Sequence, residues 1–413
     1  MNYILYAVPF FFLLIGIELI FEKIRKTDYY RVSDAINSLS AGVLSRVVGI
    51  LKAVIPLTVY VLTYEHFAVF TLPEAPWVWL VAFVLYDFCY YWNHRMGHEM
   101  SLLWAAHVVH HSSEEYNLTT ALRQSSSSIF SWAFYLPMAL LGFDPVVLIS
   151  VGSLNLIYQF WVHTRHIPKL GWFEWVFVSP SNHRVHHGQN RVYIDRNYGG
   201  VFIIWDRLFG SFQEELDEQP VIFGIRGALQ SWNPLYANVQ VYQQLIKDSW
   251  RTKRLRDKVR VWFGRTGWRP ADMEDKHPVH KADLSAFEKF DIALSRPIKI
   301  YSLLQHASTT AIGLVLMLNV QILSLGVQLS LMAVIVYASV SVGLFLERRP
   351  KALGSEWAKH FGFIVAAILL PLPVVFNAGL LLSALVSGVL LYLVRHNFAL
   401  KKGPAAQQQG AAV

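Results

Sequence analysis

A single cysteine, Cys89, stands among 413 residues. It excludes an intramolecular disulfide, a CxxC redox pair and every cysteine-ligated zinc, iron–sulfur or haem-attachment motif, so any metal here must be held by nitrogen or oxygen. Charge is scarce as well. Only 15% of residues are Asp, Glu, Lys or Arg and 54% are hydrophobic, whereas a soluble globular domain averages about a quarter charged. A soluble secreted or cytosolic domain is thereby disfavoured, and a membrane protein is the expectation. No internal repeat is visible, and low complexity is confined to a tail at about residues 401–413, which reads as disordered.

Apolar sequence is abundant. Crossing a hydrocarbon core takes about 20 residues, and several stretches approach this. Residues 3–21 read as a retained anchor, because Lys23, Arg25 and Lys26 follow the apolar run instead of preceding it. Residues 47–64, which include Lys52, and 77–92 are the next candidates. Residues 129–162 are long enough for two passes and are interrupted by Gly142-Phe143-Asp144-Pro145, a helix stop followed by a turn, so they read as a helical hairpin. Two further pairs lie at 307–319 with 329–346 and at 361–370 with 380–394.

The loops alternate in charge. Those near 65–76, 142–145, 320–328 and 371–379 contain no Lys or Arg, while 23–46, 93–128, 163–300, 347–351 and 395–402 hold nearly all of them. By the positive-inside rule the basic loops lie in the cytoplasm and the N-terminus outside. The expected fold class is all-α, a polytopic transmembrane helical bundle with a histidine-rich di-metal site on its cytoplasmic side. Eight spans fit, or four to six if the shorter segments do not cross. The expected division is a catalytic membrane domain at 1–300, C-terminal transmembrane helices at 301–400, and the tail. Plasma (inner) membrane and endoplasmic reticulum are equally compatible.

Ten of the 16 histidines fall in two short windows: His94, His98, His107, His110 and His111, then His163, His166, His183, His186 and His187. HxxHH occurs in each, as His107–His110–His111 and His183–His186–His187. At this histidine content one such motif is expected about 0.02 times by chance. On a helix, residues i, i+3 and i+4 share a face, so His94/His98 form a pincer and each HxxHH a three-nitrogen claw. Eight ligands exceed the three or four that one catalytic ion takes from protein, which implies two metals. His163 is a further ligand candidate, with Gln159 four residues before it, and His166 is open. His66, His277, His280, His306, His360 and His396 read as packing or interface residues.

Metal-bound imidazoles need a partner on the outer nitrogen. Asp87, seven residues before His94 and inside a predicted span, is the leading candidate, because a carboxylate there is costly without such a task. Glu99 and Asp195 join it as candidate catalytic groups, with Glu114, Glu115 and Asp206 behind them. Gly199-Gly200 suggests close backbone approach in a turn supporting the last claw.

The order HxxxH, HxxHH and, after intervening spans, HxxHH resembles the membrane-bound di-iron fatty acid hydroxylase and sterol desaturase superfamily. Tyr158-Gln159-Phe160-Trp161-Val162-His163-Thr164, Pro180-Ser181-Asn182-His183-Arg184-Val185-His186-His187-Gly188, Asn197-Tyr198-Gly199-Gly200 and Trp205-Asp206-Arg207-Leu208-Phe209-Gly210-Ser211-Phe212 are similar to its glyceryl-ether-cleaving branch. Arg165-His166 departs from an acidic residue expected there, and Asn182 stands where a further histidine is usual. The resemblance implies two Fe ions on His94, His98, His107, His110, His111, His183, His186 and His187, with His163 as a ninth ligand. It also implies O2 as co-substrate, a membrane lipid as substrate, and a reductant, either tetrahydrobiopterin or an electron-transfer protein. The implied reaction is hydroxylation of the ether-linked carbon of an alkylglycerol. The alternatives are a hydroxylase or desaturase of a sterol, fatty acyl or aminolipid chain, and a metal transporter.

Residues 234–269 add a surface feature. Val239, Tyr242, Ile246 and Trp250 form a helical stripe beside clustered Lys and Arg, which reads as a basic amphipathic helix on the lipid bilayer; no nucleic acid partner is expected.

Overall fold

The computed structural model describes residues 3–127 and 130–399; the predicted disordered tail lies outside the described residues. In chain order the helices are α1 (Tyr3–Arg25), α2 (Val32–Lys52), α3 (Val54–Phe67), α4 (Pro76–Glu99), α5 (Ser101–His111) and α6 (Leu118–Ala121). Next come α7 (Leu136–Leu140), α8 (Pro145–Trp161), α9 (Pro180–His186), α10 (Ile204–Leu208), α11 (Pro234–Arg251) and α12 (Leu255–Phe263). The last are α13 (Ala271–Lys276), α14 (Arg296–Leu318), α15 (Leu325–Leu346), α16 (Ala352–Leu369) and α17 (Val374–Ala399). Extended backbone pairs only at isolated bridges among the described residues, so the fold is all-α.

Among the described residues four helices are long and apolar enough to cross a membrane: Val32–Lys52, Arg296–Leu318, Leu325–Leu346 and Val374–Phe398. The chain is an integral membrane protein. Two expected spans are corrected. The run at 47–64 is not one helix, because α2 ends at Lys52 and α3 starts at Val54. Pro56 explains the break, since its ring would clash with the carbonyl four residues back, at Lys52. The spanning-length helix instead covers 32–52, most of which read as a basic loop. The predicted hairpin at 129–162 has only one full arm, α8; its other arm is a 3-10 turn at Ser131–Tyr135 running into the five-residue α7. Its turn is as expected, with Gly142 at φ +89° and Asp144 capping α8 by accepting the Val146 N–H at 2.7 Å.

The chain forms two units. One takes Met1–Tyr30, Leu51–Leu229 and Asn238–Phe287. In it α1 buries Ala7, Phe11 and Ile15 against Leu118, Ala121 and Phe160, and α4 packs on α5 and α8. This unit contains both histidine windows.

The other unit takes Arg31–Ile50, Gln230–Ala237 and the chain from Glu288 on. Leu44 and Val47 of α2 pack with Leu316, Leu331, Ile335 and Phe363 of the C-terminal helices. Polar positions of α2 point inward and are paired: Asn37 Nδ2 donates to the Trp232 carbonyl at 2.6 Å, and Ser40 meets His306 at 3.0 Å. Hydropathy along the chain also hides a buried ion pair. Lys359 Nζ lies 2.5 Å from Glu356, which accepts the Tyr301 hydroxyl at 2.5 Å and the Ser341 hydroxyl at 2.6 Å.

Removing one member of such a pair leaves an uncompensated buried charge. Lys359→Ala is expected to destabilise the protein by about 3–5 kcal/mol, and Lys359→Met with Glu356→Leu to recover most of that loss. Thermal unfolding in detergent measures both, and an unchanged midpoint for Lys359→Ala would show that the pair contributes nothing.

Candidate metal centre

His94 and His98 project from one face of α4. The chain then doubles back at the extended residue Met100 into α5, which carries His107, His110 and His111. The reversal is clamped from outside, the Ser101 N–H donating to the Gly264 carbonyl at 3.0 Å and the Thr266 N–H to the Glu99 carbonyl at 3.1 Å. His163 follows the end of α8. α9 starts at Pro180 behind a Ser179–Asn182 capping box and presents His183 and His186, with His187 at its C-cap. Asn182, the departure from the expected histidine, serves this cap by accepting the Ser179 N–H at 3.1 Å.

The nine imidazoles gather into two groups. His94, His98, His107, His111 and His186 form one, and His110, His163, His183 and His187 the other; within each, the ligand nitrogens all lie within 4.8 Å of one another. The rings of His111 and His187 stack at 4.3 Å, so the groups are adjacent. His166 belongs to neither group. Neither HxxHH acts as one claw. Each gives its outer pair, i and i+4, to one group and its middle histidine to the other. Helix geometry accounts for the split, since i+4 lies about 40° from i, whereas i+3 lies about 60° away on the opposite side.

The hydrogen bonds on the outer nitrogens fix the tautomers. Nδ1–H donates to a backbone carbonyl in His94 (Tyr198, 2.7 Å), His110 (Arg123, 3.0 Å), His163 (Gln159, 2.8 Å) and His186 (Arg196, 2.9 Å). A neutral imidazole has one N–H, so in these four the Nε2 is a bare lone pair. Those of His110 and His163 face each other at 3.2 Å, and that of His186 is buried without a hydrogen-bond partner. Protons do not relieve this. Burial, followed by the neighbouring imidazoles, holds His107, His111, His183, His186 and His187 well below the ordinary histidine range, and burial brings His110 down to about 4. Converging lone pairs of neutral imidazoles are a donor set able to hold a cation. An all-nitrogen donor set fits a first-row transition ion, not Mg or Ca, which take oxygen.

The carboxylates mostly act through the backbone. Asp87 accepts from Asn155 Nδ2 (2.6 Å), the N–H groups of Val201 (2.8 Å) and Phe202 (3.0 Å), and Trp205 Nε1 (3.0 Å). The partnership with His94 expected from the seven-residue spacing is thus replaced by a grip on the segment after Gly200. A Cβ at Gly200 would lie 2.8 Å from Asp87 Oδ1, which is why glycine stands there. Asp206 accepts the N–H groups of Tyr198 (2.7 Å) and Gly199 (2.8 Å), fixing the carbonyl that receives His94. Burial pushes its carboxyl up to about 6. Glu99 pairs with Arg95 at 3.0 Å, and Glu114 and Glu115 lie after α5, outside both groups. Asp195 stands 3.8 Å from His98 Nδ1.

Sequence reasoning passed over three other supports. Arg123 is buried and donates Nε to the Val109 carbonyl at 2.7 Å, while its own carbonyl receives His110. Glu18 on α1 accepts the Thr164 hydroxyl at 2.5 Å, next to His163. Arg184, between His183 and His186, forms a two-pronged pair with Glu215 at 2.8 and 2.6 Å. A carboxylate inside the apolar run at residues 3–21 was a readable signal for Glu18; an arginine in a basic loop offers none.

Residues 79–211, which contain all nine histidines, match the fatty acid hydroxylase family profile. The chain is 38% identical to human alkylglycerol monooxygenase over 369 residues, covering 88% of this chain and 82% of the relative. It is 36% identical to the Xenopus tropicalis enzyme of that name (85% and 79% covered) and 36% identical to that of Danio rerio (88% and 83%). The chain belongs to the alkylglycerol monooxygenase family. A match to 88% of the chain necessarily extends past residue 300. No solved structure matches it.

The depressed histidines set the sign of a pH dependence. Unfolded imidazoles take up protons near pH 6.5, while these stay neutral in the fold, so below about 6.5 the unfolded state binds more protons and stability falls. The metal-free protein is expected to melt lower at about pH 5.5 than at about pH 7.5, with added Fe(II) restoring the midpoint at the higher pH. Thermal unfolding after chelation checks this, and a midpoint that rises on acidification would contradict it.

Proposed function

We propose that this lipid mono-oxygenase is an O2-dependent di-iron enzyme that hydroxylates the ether-linked carbon of an alkylglycerol, with a tetrahydropterin supplying the electrons. The observation that carries the reading is the pair of all-imidazole groups inside a chain that aligns with alkylglycerol monooxygenases over most of both lengths. Bound irons would supply the reductive activation of O2, one oxygen atom entering the C–H bond and the other leaving as water with two electrons and two protons from the donor. Hydroxylation at the ether carbon makes a hemiacetal, which releases the glycerol alcohol and leaves a fatty aldehyde.

The chain's part is to hold and shield. The carbonyls of Arg123, Gln159, Arg196 and Tyr198 orient four of the imidazoles with their lone pairs inward. Tyr116 excludes water beside the second group: its ring stacks on Phe223 at 4.7 Å and on His163 at 5.6 Å, and its hydroxyl donates to the Val162 carbonyl at 2.9 Å. Dry, apolar surroundings protect reactive chemistry from quenching. Asp195 is the acidic residue placed to polarise an imidazole, that of His98, while Asp87 and Asp206 position ligands through the backbone. The catalytic part lies within residues 1–300, with the site on the cytoplasmic side, where the basic segments 93–128 and 163–300 carry the histidines.

The test is turnover of an alkylglycerol by the purified chain in nanodiscs with tetrahydrobiopterin under O2. Fatty aldehyde is expected. His110→Ala and His186→Ala should each lower it by at least about a hundredfold, since even the outer partners of metal ligands are worth about 10- to 100-fold. Product formed with a ferredoxin system but never with a pterin would remove the pterin assignment. A hydroxylated acyl chain with an intact ether would remove the substrate assignment.

A further inference from the structure

α11 and α12 expose large apolar side chains in a pattern the metal centre does not use. Ile246 is 54% exposed and Trp250 85%; on α12 Leu255 is 79%, Val259 60% and Phe263 62% exposed. Within each helix these residues are four apart, so each helix turns one apolar stripe outward. Lys247, Arg251, Lys253, Arg254, Arg256 and Arg260, all exposed, surround the stripes. Of the stripe expected from sequence, Tyr242 turns inward instead. It joins Leu245, Val261, Trp262 and Trp268 against Ala105 of α5.

The hairpin is rigidly built. Lys258 Nζ donates to the carbonyls of Ser249 and Trp250 at 2.8 Å each, closing the turn between the helices. Asp248 is tied to Arg269 at 2.7 and 2.8 Å, which removes its charge from the surface balance. The chain leaving α12 clamps the α4–α5 reversal through Gly264 and Thr266. A stripe of this kind in water is a poor surface for a lone soluble body. A protein partner would be met by an apolar centre depleted in charge, whereas here cations alternate with the apolar side chains. Apolar side chains below, an exposed tryptophan at the boundary and cations among the phosphates are the arrangement of a helix lying in a headgroup layer.

We infer that the α11–α12 hairpin is seated in the headgroup layer of an anionic leaflet, with Ile246, Trp250, Leu255, Val259 and Phe263 below the phosphates. Because its other face packs on α5, which carries His107, His110 and His111, the hairpin holds those imidazoles at a fixed depth. For a lipid substrate, which rests on the function proposed above, that depth selects how far along a chain the reacting carbon lies.

The test uses the full chain in nanodiscs of phosphatidylcholine, with and without phosphatidylserine. The buried Cys89 is changed to Ser, and a fluorophore is placed at Val259→Cys or at Asp217→Cys. Quenching at 259 by a shallow nitroxide lipid should exceed quenching by aqueous iodide by about threefold or more and rise with phosphatidylserine; the probe at 217 should show the reverse preference. Joint Arg251→Glu, Arg254→Glu, Arg256→Glu and Arg260→Glu should abolish the phosphatidylserine dependence while metal content stays unchanged. Iodide quenching at 259 would overturn the inference. Protection from both quenchers would also overturn it, by showing that protein covers the stripe. Loss of aldehyde formation with this quenching pattern intact would instead count against the proposed function.

Discussion

Repulsion among imidazole lone pairs is the constraint on which the rest of the structure depends. His110 and His163 aim bare nitrogens at each other across 3.2 Å, and His186 aims another into the neighbouring group with nothing to receive it. Left alone, each imidazole would rotate or take up a proton. Both escapes are blocked, rotation by the carbonyls that hold Nδ1–H and protonation by burial. A cation resolves the conflict, so the fold stores in advance part of the orientation that metal binding requires.

That storage explains where the buried charges went. Asp87 and Asp206 do not touch imidazoles; they fasten the segment whose Tyr198 carbonyl receives His94. Glu18 fastens Thr164 beside His163, and Arg123 lends its carbonyl to His110. Charged groups in a low-dielectric interior are tolerable when fully hydrogen-bonded. Here their partners are backbone and side-chain groups of the segments beside the histidines, so the cost of burying them is offset by order at the imidazoles.

The gathering of these histidines was legible because histidine is rare and the HxxHH spacing is rarer; nothing else in the chain competes with His107–His111 or His183–His187. Their division between two groups was not, since helical spacing alone places i, i+3 and i+4 on one face, and only a second helix opposite shows that i+3 diverges. Asp87 misled for a related reason. Spacing along α4 put it on the face of His94, but the Val201–Trp205 segment, distant in sequence, occupies its oxygens. The spans were legible where one face or all faces are apolar, as in α15. They were misread in α2, whose Asn37 and Ser40 face inward to partners supplied by Trp232 and His306. Averaged hydropathy cannot distinguish a polar residue in a loop from one satisfied inside a bundle, and the same blindness concealed Glu356 and Lys359.

The central claim is that two ions are gripped by imidazoles exchanged between the two HxxHH motifs. Metal content of the purified chain, with His110→Ala beside it, tests this most directly. Two irons per chain are expected, falling to about one when His110 is removed, because the group of His94, His98, His107, His111 and His186 remains complete. A single iron in the unaltered chain, or loss of both irons on removing His110, would contradict it.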